Sequence, residues 1–114
     1  MSVDKRYRLT RSADFKKVKD SGNVYFHPIV KMATSENSLP SSRFGIIASK
    51  FVGNAVVRNR CKRRLRAVLN LLKDDCLPGW DVVFIIHPRL MQSSPSDLQA
   101  VVKDLLSRAG LLSE

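Results

Sequence analysis

The segment from Val56 to Leu72 constrains this chain more than any other, because two patterns share it. Val57, Cys61, Leu65, Val68, Leu69 and Leu72 recur at the spacing that lines one face of an α-helix. Between them Arg58, Arg60, Lys62, Arg63, Arg64 and Arg66 place six cations in nine residues, and Lys50 brings the basic count from 50 to 66 to seven with no acid among them. No neighbouring carboxylate can neutralise these charges one turn away, so a solvated, self-paired helix face is the weaker reading. The aliphatic stripe calls for a core behind it, and the cationic side calls for a polyanion in front.

The rest of the chain agrees with a folded basic domain. Lys and Arg total 20 against 10 Asp and Glu, a formal charge of +10, yet 44% of the 114 residues are hydrophobic. That composition suits one domain, residues 1–114, with a single modest core, and excludes a disordered basic tail. So large a charge costs self-repulsion that an anionic partner offsets, and nucleic acid is the default candidate. No apolar run approaches the roughly 20 residues of a spanning helix, so no membrane partner is expected. Lys5, Arg6, Arg8 and Arg11 are not followed by the apolar stretch of a signal peptide. Cys61 and Cys76 form neither a C-x-x-C pair nor a zinc spacing, which points to free thiols in a reducing cytoplasm.

Local signals order the elements. Ser12 can cap a short helix to about Asp20, with Asp14 in its first turn, Lys16, Lys17 and Lys19 on a basic face, and Gly22 beyond its end. Val24 to Ser35 reads as strand, with Pro28 marking an edge or a break between two short strands. A polar turn over 36–42 leads to a strand from Arg43 to Lys50, and Phe51-Val52-Gly53-Asn54-Ala55 links it to the basic helix. Asp81 to His87 is a nearly continuous apolar run, as in a central strand covered on both sides. Ser94-Pro95-Ser96-Asp97 opens a last helix through Leu98, Val101, Val102, Leu105, Leu106 and Ala109, which Gly110 can end.

Catalytic groups are harder to find. A self-sufficient metal-dependent nuclease needs clustered carboxylates, whereas the ten here are dispersed and the one adjacent pair, Asp74-Asp75, follows the basic helix in a turn. His27 and His87 have no catalytic partner in the sequence, Cys61 falls on the apolar stripe, and Trp80 beside Pro78-Gly79 reads as a packing lid.

The run Gly53-Asn54-Ala55-Val56-Val57-Arg58-Asn59-Arg60-Cys61-Lys62-Arg63-Arg64 resembles the signature of the bacterial ribonuclease P protein component family. Arg8-Leu9-Thr10, Asp14-Phe15 with Val18, and Gly45 to Lys50 extend the likeness over about residues 6 to 108. The resemblance implies an α+β fold, a compact two-layer α/β sandwich of order α-β-β-β-α-β-α with a left-handed β-α-β crossover, similar to ribosomal protein S5 domain 2. It also implies a protein subunit of ribonuclease P, the ribonucleoprotein that removes the 5′ leader from precursor tRNA, with the chemistry in its catalytic RNA. The expected partners are that RNA and precursor tRNA, with a monomeric protein in a 1:1 complex. No cofactor is expected on the protein itself, and Mg2+ is required by the holoenzyme.

By the same resemblance Lys50, Asn54, Arg58, Asn59, Arg60, Lys62, Arg63, Arg64 and Arg66 lie against the catalytic RNA. Arg8, Phe15, Lys16, Lys17, Lys19 and Lys31 hold the single-stranded leader in a cleft between the first helix and the sheet, where bases stack on aromatics. The chain departs from the family pattern there. Lys19 and Met32 stand at or near positions commonly aromatic, leaving Tyr25, Phe26 or Phe44 as substitutes, and Phe51 stands where a basic residue is common. On charge alone the alternative is a general RNA-binding module such as a ribosomal protein. A DNA-binding basic helix is disfavoured, because no dimerising coiled coil accompanies it.

Overall fold

The computed structural model describes residues 8–9 and 12–113. The cations read at 5, 6 and 11, and Thr10 of the opening motif, lie outside them. Three helices, α1 (Ser12–Ser21), α2 (Ala55–Leu72) and α3 (Pro95–Arg108), accompany four strands, β1 (Asn23–Tyr25), β2 (Val30–Glu36), β3 (Arg43–Ile47) and β4 (Trp80–Ile86). Their order along the chain is the expected one. The sheet order is β1-β2-β4-β3, with β1 and β2 antiparallel, β2 and β4 antiparallel, and β3 parallel to β4. The apolar run of β4 is thus central, and α2 is the crossover that joins the parallel pair.

Strand alternation sorts the core into two faces. Val30, Met32, Phe44, Val82, Phe84 and Ile86 point to one side, where Cys61, Leu65, Val68 and Leu69 of α2 and Leu98, Val102, Leu105 and Leu106 of α3 cover them. This is the α/β sandwich. Ala33, Val83, Ile47 and Ile85 point to the other side, where α1 contributes Val18 and Phe15. The stripe read on α2 is the buried one, so its cations are forced outward by the same periodicity.

Capping explains the element boundaries. The Asn54 side-chain oxygen accepts from the Val57 amide at 3.0 Å, and that of Ser94 accepts from Asp97 at 3.1 Å. Pro28 falls in the break between β1 and β2. β3 stops at Ile47, three residues short of the expected end, because two successive turns follow it. The amides of Val52 and Gly53 donate to the carbonyls of Ser49 and Lys50 at 3.0 and 3.2 Å. Gly53, at φ 150°, starts the approach to α2, and a Cβ there would meet the Val57 side chain at 3.0 Å. Two short 3-10 segments, Lys73–Asp75 and Pro88–Gln92, carry no periodicity that a sequence reading can use.

A buried ion pair ties α1 to the sheet. Asp81, 3% exposed, receives Arg43 through Nε and Nη2 at 2.9 and 2.8 Å and Asn37 Nδ2 at 2.9 Å. Arg43 also reaches Asp14 of α1 at 3.4 Å. The hydrogen bond to Asp81 is the main reason its guanidinium is held protonated even more firmly than usual.

Both thiols are held toward the neutral form. Cys61 is fully buried, and burial pushes its pKa up. Burial, helped by Asp75 and Asp74, raises Cys76 to about 11. The folded state therefore favours the neutral Cys76 thiol, a contribution present below the ordinary thiol pKa and lost as pH rises toward that raised value. At pH 8, iodoacetamide is expected to modify the half-buried Cys76 slowly in the folded protein, and mass spectrometry would show urea accelerating the reaction. Labelling of the native protein as fast as in urea would contradict the raised pKa. Among the described residues no helix is long and apolar enough to cross a membrane.

Candidate RNA interface

The crossover helix presents the charge. Asn59, Arg60 and Arg63 are exposed, Arg58, Lys62, Arg64 and Arg66 are half-buried, and no carboxylate among the described residues pairs with any of them. Lys50 and Asn54 are exposed at the turn that leads into the helix, where the Asn54 oxygen is already engaged as the N-cap. Arg64 differs from its neighbours. Its Nη1 donates to the carbonyls of Met91 and Ser93 at 3.2 and 3.5 Å, so it holds the segment before α3 as well as carrying charge. Nothing in the local sequence signals this role, because its partners lie 27 and 29 residues away.

Between α1 and the sheet lies a groove, with a wall the sequence did not show. It opens over about 450 Å³ along the edge strand β3, lined by Ser12, Phe15, Lys16, Lys19 and Asp20 of α1, Ile46, Ile47 and Ala48, and Lys62 of α2. Lys62, read as part of the helix surface, therefore shares this groove with three residues read as leader-binding. Phe15 is fixed from beneath: a Cβ on Gly45 would collide with its ring, so the glycine is what lets the ring lie on β3. Lys17 is exposed on α1 outside the lining.

Beside this groove the structure brings two arginines together from opposite ends of the motif pattern. The Leu9 amide donates to the Phe44 carbonyl at 2.8 Å, which sets Arg8 on the outer edge of β3. There Arg8 and Arg66 line a cavity of about 70 Å³ with Phe15, Gly45 and Leu69. Burial and then the neighbouring Arg8 lower the pKa of Arg66, and the buried Nε atoms of Arg8 and Arg58 have no hydrogen-bond partner among the described residues. Two like charges held together, one of them with an unsatisfied donor, are stabilised by an anion such as a phosphate oxygen.

Lys31 lies elsewhere. It projects from β2 at the opposite end of the α1-side face, its Nζ 5.8 Å from the Phe26 ring centroid. Of the aromatics considered as substitutes for the family pattern, Phe44 is in the core and Tyr25 is packed against it, which leaves Phe26. Met32 is wholly buried in the core formed with α2 and α3. Of the acids, Asp14 and Asp81 are paired with Arg43 and Asp104 with Arg108, while Asp20 lines the groove beside Lys16 and Lys19.

A mixed sheet crossed by a helix whose cations pair with no carboxylate among the described residues, with a groove of three lysines and one aspartate along its edge, defines an α+β domain with a strongly cationic face. The Ribonuclease P family profile matches residues 3–110, and the chain belongs to that family. It is 38% identical over 111 residues to the ribonuclease P protein component of Roseiflexus castenholzii, covering 96% of this chain and 91% of that protein. It is 41% identical over 107 residues to the same component of Dehalococcoides mccartyi, covering 94% and 88%. The solved structure of the Staphylococcus aureus RNase P protein superposes with a TM-score of 0.83 at 26% identity, covering 94% of this chain and 98% of that one. That of the Thermotoga maritima protein, at 24% identity, shares the fold with a TM-score of 0.80 over 89% and 96%.

Proposed function

We propose that this chain is the protein subunit of a ribonuclease P that removes the 5′ leader of precursor tRNA, with the catalytic RNA performing the hydrolysis. The observation that carries the reading is the juxtaposition of the unpaired α2 cations with the Phe15 groove. One surface can hold a structured RNA by its phosphates while the adjoining groove takes a single strand.

In this scheme Lys50, Asn54, Arg58, Asn59, Arg60, Arg63 and Arg66 face the catalytic RNA, and their guanidinium forks bridge phosphates and release counterions. Arg64 adds charge from its structural position. Phe15 offers a stacking face, and Lys16, Lys19 and Lys62 bind the leader backbone, with Arg8 and Arg66 sharing a phosphate where the two surfaces meet. Screening of RNA against RNA by these side chains lowers the Mg2+ the holoenzyme needs. The complex is one protein with one RNA, working in the cytoplasm.

Reconstitution tests the scheme. Protein alone should leave precursor tRNA intact, and protein with the catalytic RNA should cleave it at lower Mg2+ than the RNA alone; cleavage by nuclease-free protein alone would overturn it. Phe15→Leu keeps an apolar side chain under the groove but removes the ring. It should weaken precursor binding about tenfold with little change for mature tRNA, as one stacked base is worth about 1–3 kcal/mol. Equal losses for both RNAs in a binding titration would take Phe15 out of the leader path.

A further inference from the structure

The flank of α2 turned away from the Phe15 groove borders a groove of its own. Arg60, Arg64, Ala67 and Leu71 follow one another at i, i+4, i+7 and i+11, so they share one side of the helix, cationic in its first half and apolar in its second. Along the apolar half, α2 and α3 enclose a groove of about 410 Å³, with Ala67, Val68 and Leu71 on one side and Pro95 and Leu98 on the other. Val68 and Leu98 are buried, whereas Leu71 is 64% exposed. An exposed leucine beside an apolar slot forgoes burial that a bound group would supply.

Three polar side chains complete the lining, and each has bonding capacity to spare. Arg64 is fixed by the bonds from its Nη1 to the Met91 and Ser93 carbonyls, which leave Nε and Nη2 for another acceptor. The Gln99 amide is half-buried and has no hydrogen-bond partner among the described residues. Ser96 Oγ lies 3.2 Å from Ser94 Oγ, and a hydroxyl so placed can still make a further bond. No carboxylate is among the described lining residues, so Arg64 alone sets the sign of the charge there.

We infer that this groove takes one unstacked nucleotide of the catalytic RNA, with its base between the apolar walls, its edge on Gln99 and Ser96, and its phosphate on Arg64. Bases turned out of RNA loops and bulges are recognised by side chains that cover their faces and hydrogen-bond their edges, and a guanidinium beside the slot supplies the phosphate contact. The cationic half of the same flank, at Arg60 and Arg64, leads the RNA to the apolar half. A second copy of this chain would bring its own cations against those two arginines, which a net charge of +10 disfavours. Lys62 and Arg66, which line the cavities beside Phe15, come from the opposite flank of α2, so a leader held at Phe15 and a nucleotide held here are on different sides of the helix. This inference rests on the reading of α2 as the face for the catalytic RNA, and it adds a base contact to the phosphate contacts proposed above.

Leu71→Ala with Gln99→Ala removes an apolar contact and an edge contact without removing a charge. In filter binding with the catalytic RNA this variant should assemble about tenfold more weakly. Its slope of log affinity against log salt should equal that of wild type, since no phosphate contact is lost. Probing of base edges in the catalytic RNA with dimethyl sulfate and carbodiimide, at saturating protein, should show an unpaired nucleotide protected by wild type and reactive with the variant. Should the double variant melt early, Leu71→Ala alone repeats both measurements from an exposed position. Wild-type affinity in the variants, or a loss of affinity with no change in the probing pattern, would overturn the inference; the first result would leave the α2 reading standing and the groove open to an apolar segment of a protein. Failure of wild type to bind the catalytic RNA would overturn the α2 reading and this inference with it.

Discussion

Arg60→Ala with Arg63→Ala is expected to weaken assembly with the catalytic RNA about a hundredfold or more, since each hydrogen-bonded charge is worth about 1.5–3 kcal/mol. Both side chains are exposed on α2, and no carboxylate among the described residues pairs with them. The slope of log affinity against log salt should fall by about one for each phosphate that the variant no longer neutralises. Thermal melting should barely move, because neither residue supports the core. A filter-binding series at several salt concentrations, with a melt of the same protein, separates these outcomes. An unchanged slope would mean that α2 does not face the RNA.

The second large effect is on stability. Asp81→Ala should cost about 3 kcal/mol, because it strands the Arg43 guanidinium and the Asn37 amide that converge on a carboxylate 3% exposed. The partial exposure of Arg43, with 24% of its side chain accessible, keeps the loss from being larger. Urea unfolding would read it directly. Because Arg43 also reaches Asp14, the variant should loosen α1 on the sheet and with it the wall that holds Phe15. A midpoint equal to wild type would show that Arg43 finds an equivalent partner.

Much of this fold is visible in the residues themselves. The α2 stripe, the caps at Asn54 and Ser94, the break at Pro28 and the buried run of β4 are local signals, each fixed by a period or a side chain within four positions. The Asp81 network is not, since its partners are 38 and 44 residues away and each alone reads as an ordinary polar residue. For the same reason the sequence places Lys62 only with its helix neighbours and Lys31 only with a basic set. Strand order then sends the first to the Phe15 groove and the second to the far end of the sheet. The family pattern marks Met32 and Phe51 as departures without saying where they go. One lies in the core and the other projects from a turn, because alternation along β2 and the bonds at Ser49 and Lys50 decide their directions.

The position of β4 has a further consequence for how the molecule comes into being. β2 and β3 share no ladder, and each is paired to β4, which the chain reaches only after the whole of α2. Until residues 80–86 have emerged during synthesis, β2 has only the short β1 beside it, β3 has no neighbouring strand, and the polycation has no central strand for its greasy side to rest on. Closure of that long loop is the step on which everything else waits, and an RNA that met the cations earlier would meet a helix without its scaffold.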